Sequence, residues 1–493
     1  MTKNQKKAAS IAEFVNLEGQ DLVSEMLGTA RPRDEAARDR VKDLLDEYVR
    51  QLSSGMTVRK GFTRTINEHI AAIDEKLSKQ LSAVMHHPAF QKLEAAWRGL
   101  HRFVMSTETG ESQKIQVLDC GKRELLLDFQ SAAEFTESAL WKKIYQGGFG
   151  QAGADPTGMI VGDFEFDKGP MDIELLSHLS SVAAGAHAPL LTAAGPGMFG
   201  MESLAEMPNP RDLAKIFDKN NPENTKWLSF RDSEDARYVG LCLPHVLARA
   251  PYGEGNKVDA FDFAEDVDGE THEKYLWGNA AYAFASRITD AFAKHHWTVA
   301  IRGFEGGGKV ENLPIHTFRS REGAVGSKCP TEVLIPDDRE AELSGLGFIP
   351  LVNYKNTDYA VFFGASSAQK PKQYTDKDAS ANAYLSAQLP YLFAVSRIAH
   401  YLKVICRDKI GSFTSKDECQ KFLNAWISQY VLLNDEATQD QKAKYPLREA
   451  QVEVVEDRAR PGSYQAVAHL RPHFQLDKLH VALKLVAKLP TRA

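Results

Sequence analysis

At 493 residues the chain is longer than one compact core supports, so two or three domains are expected. Hydrophobic content of 43% and charged content of 26% are ordinary for globular chains and exclude a disordered or fibrous class. A formal net charge of −6 is small for this length and speaks against nucleic acid or anionic lipid as the main partner.

Residues 1–35 read as a polar tail with one short helix. Asp21 can cap it, Leu22, Val23, Met26 and Leu27 form an apolar edge, and Gly28 suits its end. Such an edge either packs on the body or enters a partner's groove. Val41, Leu45, Tyr48 and Leu52 stripe a second helix that stops near Ser53-Ser54-Gly55. Two amphipathic segments then flank His86-His87-Pro88. The first repeats Ile66, Ile70, Ile73, Leu77 and Leu81; the second repeats Phe90, Leu93, Trp97, Leu100 and Val104. Pro88 suits the first turn of a helix. The expectation is a helical hairpin docked on a core.

From Ile115 short apolar runs alternate with helical ones. IQVLD (115–119), GMIVGDF (158–164), APLLTAA (188–194), YVGLCL (238–243) and WTVAIRG (297–303) read as strands. The stretches 132–145, 171–184 and 278–295 read as helices. PTEVLIPD (330–337), LVNY (351–354) and YAVFFGA (359–365) continue the strand series. Such alternation implies β-α-β units and a parallel or mixed sheet buried on both faces.

Residues 366–383, broken by Pro371, read as a linker or long loop. The stretch 389–406 is apolar nearly all round, hence a buried helix. Ser415 and Glu418 make a capping box for a helix displaying Phe422, Leu423, Trp426, Ile427 and Tyr430. The end of the chain reads as β: QVEVVE (451–456), a Pro461-Gly462 turn, SYQAVAHLRPHF (463–474), then LHVALKLVAKL (479–489). Val452, Val454, Val467, Leu470, Val481, Leu483 and Leu485 are its apolar positions, and Pro472 belongs at an edge or a bulge.

The fold class expected is α/β of mixed α+β character. It has a helical N-terminal region, a central mixed β-sheet with flanking helices, and C-terminal helices plus a β-hairpin or small sheet. The regions divide as 1–60 (tail and helices), 61–110 (helical hairpin), 111–370 (central α/β) and 380–493 (C-terminal helix plus strands).

Little in the sequence points to chemistry. Gly303-Phe-Glu-Gly-Gly-Gly308-Lys309 fits half of a phosphate-binding loop, but Val310 stands where a hydroxyl should follow, and Pro314 opposes an immediate helix. His86-His87 and His295-His296 are adjacent rather than four apart, so a cap or packing role is expected over a metal site. In RDSEDARYV, Arg231, Glu234, Asp235 and Arg237 mix both signs, as a solvated face or an interfacial ion-pair network does. Catalytic carboxylates are the lesser alternative. Five cysteines without a C-x-x-C pair fit buried thiols in a reducing compartment. The opening MTKNQKKAASIAEF has no signal-peptide run, and no stretch reaches the roughly 20 apolar residues of a membrane span. A cytoplasmic protein without a cofactor, metal or enzymatic centre is expected.

Several strings carry a resemblance: HHPAFQKLEAAWRGLHRFV (86–104), RDSEDARYVGLCLPHVLARAPYG (231–253), YLWGNAAYAFASRITDAFAKHHW (275–297) and PTEVLIPDDREAELSGLGFIPL (330–351), followed by QLPYLFAVSRIAHYLK (388–403) and VAHLRPHF (467–474). In order and over nearly the whole chain, they resemble the large sheath subunit of bacterial type VI secretion, the TssC/VipB/ImpC family. The resemblance implies a heterodimer with a small TssB/VipA-like subunit, polymerised with copies of itself into a helical contractile tube. That tube surrounds an inner tube of Hcp, stands on a baseplate, and is disassembled by a ClpV-type AAA+ ATPase. It also implies that the helix with Leu22, Val23, Met26 and Leu27 is what the ATPase grips. The C-terminal strands would be inter-subunit tethers, and Trp97 with the Arg231–Arg237 cluster would serve structure or interfaces. The alternatives are the sheath of another contractile particle and a nucleotide-binding enzyme using the 303–310 loop.

Overall fold

The computed structural model describes residues 62–473 apart from 211, 254, 260, 320–324, 409–415, 435 and 457–463, and before them Glu35 and residues 38–44. Of residues 62–68, Glu456 and Tyr464 only the backbone is described. The expected tail helix, Ser415, the Pro461-Gly462 turn and the last strand with Val481, Leu483 and Leu485 lie outside these residues. Residues 38–44, with Val41, are helical, and Leu45, Tyr48, Leu52 and the expected stop at Ser53-Ser54-Gly55 lie outside the described residues.

The chain divides into two compact units, residues 1–80 with 257–264, and residues 81–256 with 265–493. The first contains most of helix α1 (Phe62–Met85), which carries the surface pair Lys79–Glu75 at 2.7 Å, and a ring contact between Phe261 and Phe263.

The second unit continues with α2 (Pro88–Ser106). His87 caps it, its Nδ1 accepting from Ala89 N–H at 3.3 Å, and Pro88 fills the first turn where no N–H is needed. The run 115–119 is not a strand: Val117 is 67% exposed and has no ladder partner among the described residues. Helix α3 (Lys122–Ser131) follows. The helix expected over 132–145 is broken into a 3₁₀ turn (Phe135–Glu137), one α-turn (Ala139–Trp141) and a π-helix (Lys142–Phe149). Asp128 takes the N–H groups of Ala139 and Leu140, and the Ser138 hydroxyl takes that of Trp141, so a new helix starts at Ser138 instead of continuing.

The sheet is then assembled from β1 (Ile160–Phe166), helix α4 (Pro170–Ala186), β2 (Leu190–Ala194), helix α5 (Thr225–Asp232) and β3 (Val239–Leu243). A short pair, β4 (Val246–Leu247) and β5 (Trp277–Gly278), leads into helix α6 (Ala280–His295). Next come β6 (Lys309–Val310), the small hairpin β7 (His316–Arg319) and β8 (Val325–Lys328), helix α7 (Asp337–Gly345), β9 (Ile349–Asn353) and β10 (Ala360–Phe362). The strand order is β1-β2-β3-β9-β10-β6; the first four pair in parallel, and β10 is antiparallel to both β9 and β6.

Two cores form because side chains alternate across a strand. Leu190, Val239, Leu241 and Leu243 face α4 and the aromatic cluster of Trp227, Phe217 and Phe348. Leu191, Cys242, Ile349 and Leu351 face the alanine-rich side of α6. Burial pushes the Cys242 thiol up, which suits an inert core residue.

Two more expected strands are corrected. In 297–303 Trp297, Val299 and Ile301 are buried, yet the backbone closes a tight turn from Ile301 N–H to Val299 C=O instead of a ladder. In 330–337 only Thr331 bridges, to Val246, before α7 starts at Asp337. Nor is 366–383 a free linker. Ser367, Ala368 and Gln369 are buried beside β3, and helix α8 (Lys377–Ser386) starts where Asp376 accepts from Asp378 and Ala379.

The C-terminal part contains α9 (Leu389–Asp408), α10 (Lys416–Ile427), α11 (Gln439–Lys444) and the antiparallel hairpin β11 (Leu447–Glu456) and β12 (Tyr464–Pro472). Ile398 and Leu402 of α9, Leu423 and Ile427 of α10 and Leu447, Val452 and Val454 of β11 make a third core with Trp297. Among the described residues no helix is long and apolar enough to cross a membrane.

Candidate assembly interface

In the C-terminal hairpin Val452 pairs with Ala468, Val454 with Ala466 and Ala450 with Leu470, so these six share one face. Val452 and Val454 are buried on it, and Ala450, Ala468 and Leu470 pack at its margin. Val467 pairs with Glu453 on the opposite face and is 41% exposed, so it does not join the other sequence-predicted positions. Pro472 pairs with Leu447 at the end of the ladder, beside an irregular register step between Leu447 and Glu449.

The two edges of this sheet differ. On the β11 side, Val452 N–H donates to Asn424 Oδ1 at 2.8 Å and Asn424 Nδ2 donates back to Val452 C=O at 2.7 Å. Val454 N–H donates to Gln420 Oε1 at 3.2 Å, and Leu432 N–H donates to Leu447 C=O at 2.8 Å. Side-chain amides of α10 thus stand where a neighbouring strand would. On the β12 side no strand is paired among the described residues. A groove of about 390 Å³ opens there between β12 and α9, lined by Ala466, Ala468, Leu470, Ile398, Leu402 and Cys406. Behind it, buried His400 bonds through Nε2 to Ala186 C=O at 2.9 Å, and burial draws its pKa down to about 4, so it sits there neutral. The amides at 420 and 424 were missed in sequence; their i, i+4 spacing beside Leu423 and Ile427 is the signal that could have found them.

Helix α2 presents a second feature. Its opposite face docks: Gly99 meets Tyr282 so closely that a Cβ would lie 2.6 Å from the ring, and Phe103 lies 6.2 Å from the same ring centroid. Arg98 Nη2 donates to Tyr252 Oη at 2.9 Å, and Glu94 is gripped by Arg98 at 2.7 Å and Arg249 at 2.8 Å. The apolar stripe that the sequence places on the core therefore points outward. Trp97 is 65% exposed and Leu93 57%, with Phe90 and Val104 also exposed.

The RDSED cluster separates into different contacts. Arg231 is buried rather than solvated: its Nε donates to Ala368 C=O at 3.0 Å, and burial lowers its pKa to about 10. Glu234 pairs with Arg237 and with Lys372, the latter at 2.7 Å, while Asp235 accepts from Ser181 Oγ at 2.9 Å. The two carboxylates are thus already engaged with separate partners.

Two polar arrangements remain. His245 lies between Glu332, which its Nδ1 contacts, and Glu165, 3.0 Å from its Nε2; His272 bonds Glu332 at 3.0 Å. Burial alone would lower the His245 pKa, but the two carboxylates outweigh it and push it up to about 10. Burial likewise opposes the Glu332 charge, yet His245 and His272 draw its pKa down to about 2. This is a salt-bridged clasp; among the described residues no group of three His, Cys, Asp or Glu is disposed to hold a metal ion. The 303–308 glycine loop turns its backbone inward, Gly303 N–H donating to Phe362 C=O and Gly308 N–H to Gly303 C=O, and leads into β6 rather than a helix. Lys309 Nζ sits 4.3 Å from the Tyr359 ring centroid and 2.6 Å from Glu311. That lysine is committed to its neighbours, and the loop has no helix N-terminus to face a phosphate.

Residues 67–369 match the family model described as EvpB/VC_A0108, tail sheath N-terminal domain, and residues 378–489 match the EvpB/VC_A0108 tail sheath gpW/gp25-like domain. The chain is 47% identical over 497 residues to the type VI secretion system sheath protein TssC1 of Pseudomonas aeruginosa, covering 100% of this chain and 98% of that protein. Among solved structures it is similar to a chain of the anti-feeding prophage baseplate (TM-score 0.35, 9% identity, 64% of this chain and 66% of that one). It is also similar to one in the contracted sheath of a PVC extracellular contractile injection system (TM-score 0.32, 10% identity, 62% and 68%).

Proposed function

The chain belongs to the EvpB/VC_A0108 tail sheath family, that of the large sheath subunit of type VI secretion, and from that premise we propose how it assembles and works. It pairs with a small TssB/VipA-like subunit, and the pairs polymerise in the cytoplasm as a contractile tube around Hcp, mounted on a baseplate. The chain itself catalyses nothing. Energy is stored in the packing of the extended lattice, where moderate contacts repeated along a polymer sum to a large release.

The observation that supports this reading best is the one-sided hairpin. An edge closed by Asn424 and Gln420 and an opposite edge beside an apolar groove suit addition of one strand from a neighbour. Ala466, Ala468 and Leu470 then line the seat while Val452 and Val454 anchor the hairpin in its own core, and Val481, Leu483 and Leu485 supply an alternating strand of the kind such an edge accepts. Main-chain hydrogen bonds tether subunits while their rigid bodies slide. The test is co-production with the small subunit and negative-stain microscopy: hollow tubes are expected, and a soluble pair that never polymerises would overturn the assembly reading.

A ClpV-type ATPase disassembles the contracted tube, gripping the segment with Leu22, Val23, Met26 and Leu27 in this reading. Leu22→Asp with Met26→Asp should abolish ATPase binding in a pull-down while tubes still form. Unchanged binding would remove that assignment.

A further inference from the structure

Helix α4 lies in the part of the chain matched by the N-terminal sheath domain, and α9 in the part matched by the gpW/gp25-like domain. Where the two helices meet stands a buried histidine with one spare nitrogen. His400 of α9 is 2% exposed, and its Nε2 lies 2.9 Å from the C=O of Ala186, the last residue of α4. A carbonyl only accepts, so Nε2 carries the ring proton and Nδ1 is the bare acceptor. That Nδ1 is buried and has no hydrogen-bond partner among the described residues. A second proton placed there would find no acceptor, and a buried charge without one is costly.

The surroundings oppose that proton as well. Arg397 and Lys403 bear on the ring from its own helix, and His187 from the end of α4, its ring centroid 6.2 Å away. Lys403 is held in place, its Nζ 3.6 Å from the Phe149 ring centroid and 3.0 Å from Tyr145 Oη. His187 caps α4 at φ 51°, and its Nδ1 lies 3.3 Å from Tyr238 Oη, beyond which stand Arg237 and Asp235. Arg407, one turn past Lys403, donates to the Phe149 and Gln151 carbonyls at 2.9 Å each. Phe149, His187 and Lys403 are also walls of the groove beside β12, where Cys406 keeps a thiol pushed up by burial and β12 brings apolar side chains. We propose that His400, backed by His187, is an acid-released latch: protonation at Nδ1 lifts α9 from the end of α4 and distorts this groove. The consequence for assembly rests on the strand-addition reading above.

Burial and the facing cations draw the His400 pKa from 6.5 down to about 4, so the latch is whole above pH 6.5 and is lost as pH falls toward 4. Between pH 7.5 and 5 the opening equilibrium of α9 should therefore rise roughly 30-fold. Hydrogen exchange of α9 and of the last turn of α4, corrected for intrinsic rates, reads this in the full chain co-produced with the small subunit. His400→Gln keeps an N–H for Ala186 C=O and cannot titrate, so its rise should shrink to a few-fold. Lys403→Met removes one facing charge and should fall between the two. Comparing the two pH values within each variant cancels any constant loss of stability. Wild-type tubes should become scarce at pH 5, where His400→Gln still builds them. No local rise in wild type, a rise shared by every helix, or a full rise kept in His400→Gln overturns the latch. Opening of α9 with wild-type tubes equally abundant at both pH values overturns its link to the groove. If no tubes form at either pH, the strand-addition reading fails, while the exchange of wild type against His400→Gln still decides the latch.

Discussion

Asn424 holds Val452 by both of its main-chain groups, accepting from N–H at 2.8 Å and donating to C=O at 2.7 Å. One primary amide thus stands in for a whole strand position. It also fixes the phase of the ladder: the main-chain groups of Val452 point away from β12, so those of its opposite number Ala468 point away from β11. The side chain that seals one edge therefore shows which residues of β12 direct their main-chain groups away from the ladder.

Asn424→Ala should cost roughly 2–4 kcal/mol, because it strands a buried donor and acceptor together. Denaturant unfolding of the subunit checks the size. The variant should also aggregate at concentrations where wild type does not, since the β11 edge of the hairpin would then be open. Unchanged stability and solubility would mean the amide contact is incidental.

The Glu165–His245–Glu332 clasp predicts a pH profile. His245 is raised in the folded chain from 6.5 to about 10, so its contribution is fully present below pH 6.5 and is lost as pH rises toward 10. Glu332 is lowered from 4.5 to about 2, so its contribution is present above pH 4.5 and lost on acidification toward 2. Chemical denaturation at a series of pH values should show stability highest between these limits, and His245→Gln should flatten the alkaline limb. Glu332→Ala should cost about 3 kcal/mol by leaving His245 with one partner fewer in a buried setting.

The 303–308 loop should be indifferent to nucleotide. ATP with Mg²⁺ should leave the thermal midpoint unchanged and give no heat in calorimetry, because Lys309 is engaged by Glu311 and Tyr359. Lys309→Ala should leave the thermal midpoint of the subunit close to that of wild type, because a solvent-screened pair with a ring contact adds little to stability. Micromolar, Mg²⁺-dependent binding that disappears in that variant would revive the nucleotide reading.

Strands β2 and β3 were legible because their runs are short, apolar and buried on both faces, whereas β1 lies at the sheet edge and is only partly buried. The same composition misled at 297–303, where Trp297 and Ile301 are buried by packing while the backbone makes a turn; apolar pattern reports burial, not ladder partners. Periodicity likewise found the stripe on α2 but placed it on the wrong side. A 3.5 repeat cannot tell the chain's own core from another chain's helix. Gly99, a small residue inside a helix, was the legible mark of the side that docks. The hairpin lock stayed hidden because it depends on two side chains meeting a strand 28 and 34 residues away, a juxtaposition only the fold creates.

The β12 edge, which pairs with no further strand among the described residues, can be tested without disturbing the hairpin. By the phase that Asn424 fixes, Ala466, Ala468 and Leu470 direct their main-chain groups outward, while Val467 pairs with Glu453 through the inward ladder. Proline at 468 therefore removes a donor that β11 does not use, and it is tolerated on an edge strand. Ala468→Pro should leave the unfolding midpoint of the subunit and its pairing with the small subunit within about 0.5 kcal/mol of wild type, as for a change that breaks no internal bond. Tubes should nevertheless fail to form, since an incoming strand would lose that hydrogen bond and meet the ring. Val467→Pro is the matched control: it breaks the inward ladder and should destabilise the hairpin itself by about 3 kcal/mol or more. Normal tubes with Ala468→Pro would show that the β12 edge is not where subunits join. Loss of tubes together with loss of subunit stability in Ala468→Pro would show that the ladder phase has been misassigned.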